Sequence, residues 1–142
     1  LDAKNLDTIV IGAMREEANA NGVDWNLVLE ADGAALQSSA RGYLARLVSR
    51  AVPRIQARMK ESRTPLFACP GLLARYDRMN LIEKIRDEAG TRNSPVHGAW
   101  LLVATDGQAG RPMVDGKPVP IISTSQWAPI PDAWIDGVLE GK

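Results

Sequence analysis

The chain has 142 residues, 45% of them hydrophobic and 24% charged, with 17 basic and 17 acidic side chains. That size and balance suit one globular domain with a core of its own and exclude disordered or collagen-like chains. No apolar run approaches the roughly 20 residues of a membrane helix, and the opening LDAKNLD has neither the basic flank nor the apolar stretch of a signal peptide.

From the N-terminus, LDTIVIGAMREEANANG puts Leu6, Ile9, Val10, Ala13 and Met14 on one helical face, with Gly22 as the stop. DWNLVLEADG follows as a short helix, capped by Asp24, anchored inward by Trp25 and Val28, and ending near Gly33. The next helix has the clearest pattern: Leu44, Leu47, Val48, Ala51, Val52, Ile55 and Met59 keep helical spacing over four turns. Ser38 or Ser39 caps its start, and Pro53, which lacks a donor, is expected to kink it. PLFAC, bounded by Pro65 and Pro70, reads as a buried strand. PGLLARYDRM is a turn or short helix, and NLIEKIRDEAG is a helix with an Asn80–Glu83 capping box and Gly90 at its end. After the polar loop TRNSPVHG, AWLLVAT reads as a second buried strand, so strand, helix and strand make a right-handed parallel crossover. MVDGKPVPI is a hairpin turned at Asp115-Gly116, with Pro118 and Pro120 marking an edge strand. PDAWIDGVL is a terminal helix with Pro131 in its first turn. The fold class expected is therefore α/β: a small sheet with a strand–helix–strand parallel crossover and an edge hairpin, packed against N-terminal helices, in one domain spanning residues 1–142.

Charge is unevenly spread along these elements. Residues 1–40 hold seven acidic and two basic side chains, and residues 41–63 hold seven basic and one acidic. Such a split either pairs internally or attracts an anionic partner. Arg46, Arg50, Arg54 and Arg58 recur every four residues, so the row drifts by about 40° per step around its helix. Arg46 and Arg50 lie opposite the apolar face and Arg58 comes close to its edge. As a functional feature the row is a ridge for phosphates or an acidic partner; as a structural one it pairs with Glu16, Glu17, Glu30 or Asp32. Only Tyr43 lies near the arginines, which gives base stacking little support.

The other candidate chemistry is thin. TDGQAGRP has two glycines but lacks the lysine and hydroxyl of a phosphate-binding loop, and a hairpin rather than a helix follows it. Asp106, at the end of the apolar run, could hold Mg²⁺ only beside a phosphate cradle, and reads better as a turn aspartate. Cys69 and His97 could be nucleophile and base, but nothing in the sequence brings them together. As the only cysteine and the only histidine, they allow no internal disulfide, fit a reducing compartment, and leave little for structural zinc. No catalytic or metal-binding residue is assigned. Of the four tryptophans, Trp25, Trp100, Trp127 and Trp134, most read as core or rim anchors, though Trp127 and Trp134, in the Pro-rich tail, could instead dock onto a neighbouring domain.

NGVDWNLVLEADGA, PGLLARYDRMNLIEKIRDEAG, AWLLVATDG, MVDGKPVPI and SQWAPIPDAWI, in that order, resemble the C-terminal region of PglW-type bacterial serine/threonine protein kinases of the Pgl/BREX phage-defence systems. The resemblance covers most of residues 5–135 and rests on the order of segments. It implies a parent enzyme that phosphorylates protein hydroxyls with ATP and Mg²⁺. No kinase motif occurs here: neither the glycine-rich loop with its VAIK lysine, nor HRD, nor DFG. The chain, which opens on Leu1, is then expected to be a cytoplasmic C-terminal accessory module without a cofactor of its own. Its partners would be other domains of the parent chain or another defence protein, with nucleic acid the less favoured partner and no membrane. The block from Leu66 to Thr105 also looks like part of a P-loop ATPase core, but ACPG stands where an acidic pair would follow the first strand, so any ATPase ancestry would be degenerate.

Overall fold

The computed structural model describes residues 1–105 and 110–141. The chain is mixed α/β, as its pattern predicts, and its first element is one that the pattern does not show. Strand β1 (Asp2–Asn5) leads directly into helix α1 (Leu6–Ala20), and helices α2 (Trp25–Asp32) and α3 (Ser39–Met59) follow. Strand β2 (Pro65–Ala68), helices α4 (Gly71–Arg75) and α5 (Asn80–Glu88) and strand β3 (Trp100–Leu101) complete the main body. The rest comprises the hairpin β4 (Met113–Val114) and β5 (Lys117–Pro118), a 3-10 turn at Thr124–Gln126, and helix α6 (Asp132–Leu139).

The sheet is parallel, in the order β1-β2-β3, with Ala3 opposite Leu66 and Phe67 opposite Leu101. Parallel neighbours need long crossovers: α1 to α3 supply the first and α4 and α5 the second. The expected parallel pairing of PLFAC with AWLLVAT is therefore present, but the second strand is a correction. It is two residues long and is not buried, since Trp100 is 65% and Leu102 49% exposed. Pro65 can occupy the central strand because it stands at its first position.

The core is the shared seam of α1 and α3. Leu6, Val10, Ala13, Met14 and Ala18 from α1 meet Leu44, Val48, Ala51, Ile55 and Met59 from α3, and Phe67 of β2 closes the seam against the sheet. Asn5 caps α1 by accepting from Thr8 N at 3.0 Å, Asp24 caps α2 from Asn26 N at 3.0 Å, and Ser38 caps α3 from Arg41 N at 3.4 Å. Helix α3 runs unbroken through Pro53, which is exposed. The carbonyl deprived of its donor belongs to Ser49, itself exposed, where water can replace the bond.

Two local expectations fail for local reasons. The Asn80–Glu83 capping box does not form, because Met79 is already helical and makes no side-chain cap, which leaves Asn80 inside the helix. A capping box closes the 3-10 turn instead, between Ser123 and Gln126. Pro131 stands just before α6, not within it, and its carbonyl accepts from Trp134 N and Ile135 N at 3.0 and 3.2 Å. The hairpin is as expected: Asp115 and Gly116 both take positive φ, 47° and 77°, the pair of values that a type I′ turn requires. Val114 and Val119 of this segment pack with Ala74 of α4 in a second small core.

Ile55 is wholly buried at the centre of the seam. Ile55→Ala is expected to lower unfolding free energy by about 2–5 kcal/mol in urea titration. Ser49→Ala, on the exposed side of the same helix, should change it by less than about 0.5 kcal/mol.

Candidate functional site

The feature with most capacity for binding lies between α2 and α3. Its construction begins at the C-terminal end of α2. The Asp32 carboxylate accepts from Arg75 Nε at 2.9 Å and Nη2 at 3.1 Å, and from the Tyr76 hydroxyl at 3.0 Å. Arg41 Nη1, from the first turn of α3, donates to the Asp32 carbonyl at 2.8 Å and stands 3.5 Å from its carboxylate. One residue thus ties α2 to α3 and to α4. At the other end of α2, the Arg15 guanidinium of α1 lies over the Trp25 ring, 4.9 Å from its centre.

Burial would raise the Asp32 carboxyl, but the hydrogen bonds of Arg75 and Tyr76 and the charges of Arg75 and Arg41 outweigh it, holding the group below its ordinary 3.8. Burial, with the bond to the Asp32 carboxylate and its charge, pushes the Tyr76 phenol up to about 12.

Held at both ends, α2 leaves a groove of about 550 Å³ against α3. Val23, Leu27 and Val28 form one wall, and Tyr43, Leu44 and Leu47 the other. Several of these side chains are large, apolar and open to solvent: Leu27 is 58% and Tyr43 66% exposed. Arg46 and Arg50 run along the α3 edge, while Glu30 and Asn21 stand among the lining residues from the α2 side. Arg46 lies over Tyr43, 5.5 Å from the ring centre.

The structure divides the arginine row in two. Arg54 pairs with Glu17 at 3.2 Å and Glu16 at 3.5 Å, and Arg58 pairs with Glu16. This half ties α3 to α1, as internal pairing predicts. Arg46 and Arg50 make no ion pair among the described residues and keep their charge at the groove. Asp32 is used by Arg41 and Arg75, not by the row. Of the tryptophans named for docking, Trp134 is 61% exposed on α6, and Trp127 is half-buried with its Nε1 enclosed and lacking an acceptor among the described residues.

A second hollow, of about 450 Å³, lies at the carboxyl ends of β1 and β2, lined by Asp7, Gly71, Leu72, Arg75 and Asp115. Parallel sheets commonly bind ligands at such ends. Here Asp7 Oδ1 accepts from Leu72 N at 2.8 Å and so serves the first turn of α4. Among the described residues no group of three or more His, Cys, Asp or Glu converges as a metal site. Asp106 lies outside the described residues. Cys69 and His97 are not brought together. Cys69, exposed and at φ 53°, follows the C-terminal end of β2, and His97 N donates at 2.8 Å to Arg63, which precedes its start. The four-residue strand, about 13 Å long, separates them.

Sequence reasoning found the arginines but not the groove. Its signal was present in α2, where WNLVLEAD has apolar residues on more than one face, more than a helix covered on one side needs. No helix among the described residues is long and apolar enough to cross a membrane. Neither a protein-family model, nor a curated protein, nor a solved structure matches the chain.

Asp32→Asn is expected to cost about 1–3 kcal/mol at neutral pH, since it removes the charge that several donors share. Because the folded carboxyl titrates below 3.8, the contribution of Asp32 is full above that pH and is lost as pH falls through the folded value. Wild-type stability should therefore fall more steeply than that of Asp32→Asn in acid. At the alkaline end, the Tyr76 contribution is full below pH 10 and lost as pH rises towards about 12. Tyr76→Phe should lack that loss. Urea unfolding across pH measures both limbs.

Proposed function

We propose that the chain is a non-catalytic accessory domain that docks an amphipathic helix with an acidic flank, and that it does so within a PglW-like serine/threonine protein kinase of bacterial phage defence. The groove carries the docking reading: apolar side chains stand open between α2 and α3, and two arginines without an acidic partner among the described residues line one edge. An apolar groove takes the apolar stripe of a helix, and a one-sided basic edge selects and orients an acidic flank.

The kinase setting rests on the order of sequence segments. In that reading ATP, Mg²⁺ and protein phosphorylation belong to the parent's kinase domain, the location is cytoplasmic, and the docked helix comes from the parent protein or another defence protein. The two arginines left at the groove favour an acidic protein partner over nucleic acid. Arginines one turn apart supply about two phosphate contacts, too few for the salt-dependent affinity on which backbone binding relies.

A parent kinase carrying Arg46→Glu and Arg50→Glu is expected to autophosphorylate at the wild-type rate while its host loses phage protection by at least about tenfold in plaque counts. Leu27→Asp should do the same. Full protection with both variants would sink the docking reading.

A further inference from the structure

We infer that the helix received by the α2–α3 groove is α6 of a second copy of this chain, so that two copies associate by exchanging these helices. The inference rests on the docking reading above and names its partner. Helix α6 has the required chemistry. It has no buried residue; Trp134 is 61%, Ile135 40%, Val138 54% and Leu139 80% exposed. At about 100° per residue these four form a single stripe some 140° wide. Asp132, Asp136 and Glu140 follow one another at four-residue spacing beside that stripe, and Asp132–Leu139 contains no basic residue.

The two surfaces also match in charge and spacing. Arg46 and Arg50 stand one turn apart on α3, and Asp132 and Asp136 stand one turn apart on α6, a rise of about 6 Å in each case. With the apolar stripe in the groove, the aspartates must lie along the α3 edge, because Glu30 on the α2 side repels them. This fixes how α6 faces the groove. The groove is lined entirely by residues from Asn21 to Arg50, and α6 contributes none of its lining within the same copy. Each copy therefore offers one open groove and one open helix, and a two-fold pair satisfies both at once.

Sedimentation velocity on the whole chain across a concentration series tests this. Wild type should form a concentration-dependent dimer. Leu27→Asp, which spoils the groove, and Trp134→Asp, which spoils the helix, should each weaken it by about tenfold or more. Both positions are exposed, so at concentrations where wild type is monomeric the variants should match its circular dichroism and melting. An equimolar mixture of the two variants retains one intact groove facing one intact helix and should regain part of the association. Arg46→Glu with Arg50→Glu should weaken the wild-type dimer, as should raised salt.

A wild-type chain that is monomeric throughout overturns the inference. So does a dimer lost with Trp134→Asp but indifferent to Leu27→Asp, which would pair α6 with α6. Failure of the mixture to regain association overturns it too. If the chain is monomeric while the groove variants still abolish phage protection in the parent, the second-copy partner is wrong and the docking reading stands. If protection is also intact, both fail.

Discussion

Helix α2 is eight residues long and buries only Val28 and Ala31 fully in the core, with Trp25 partly buried against it. What holds its C-terminal end is the Asp32 carboxylate, shared by Arg75 and Tyr76 and flanked by Arg41, with the Asp32 carbonyl taking two further guanidinium bonds. Isolated ion pairs at a surface contribute little. A carboxylate with several fixed donors is different, because each bond it forms helps to position the others. Asp32 thus sets the stance of α2 on α3. The groove is the space left beside the contact that Val28 and Ala31 make with the core, with α2 fixed there at its C-terminal end by polar contacts.

The same economy governs the charges of α3. Its one apolar stripe is used up by α1, α2 and the sheet, and its arginines must go elsewhere. Arg54 and Arg58 lie beside Glu16 and Glu17 of α1, so they bind the two helices of the core seam across its rim. Arg46 and Arg50 lie towards the other end of the helix. Acidic residues of the first forty are thereby used by Arg54, Arg58, Arg41 and Arg75, while Arg46 and Arg50 stand together on one edge of the groove. A field of that kind steers an acidic partner and fixes its orientation more than it adds raw affinity.

Elements specified by local chemistry were legible in the sequence. The hairpin at Asp115-Gly116 follows from two residues that tolerate positive φ, and α3 from a stripe sustained over many turns. Strand β1 was not legible: Asp2, Lys4 and Asn5 alternate nothing apolar, and the strand exists because β2 offers it a hydrogen-bonding edge. The capping box at Asn80 failed because the chain is already helical at Met79 after Asp77, at φ 57°, turns it back towards α4. The four arginines were visible as a row, but their division depends on which of them α1 reaches, a tertiary fact. The groove was least legible of all: the extra apolar residues of α2 point to an uncovered face, but only its separation from α3 makes a site.

Helix α6 poses a physical question that its sequence alone does not. Eight residues are too few for an isolated helix to persist in water on propensity, and nucleation is costly. Pro131 helps by fixing the backbone ahead of the first turn. Within one copy, however, no side chain of the helix is buried, so the apolar area it covers offsets only part of the cost of ordering it. A short helix with a Trp-led stripe and an acidic flank gains that offset only by covering the stripe. The α2–α3 groove has the complementary deficit: exposed Leu27 and Tyr43, and arginines whose acids were spent elsewhere. Each surface lacks what the other carries, and joining them removes apolar area from water while bringing Asp132 and Asp136 to Arg46 and Arg50.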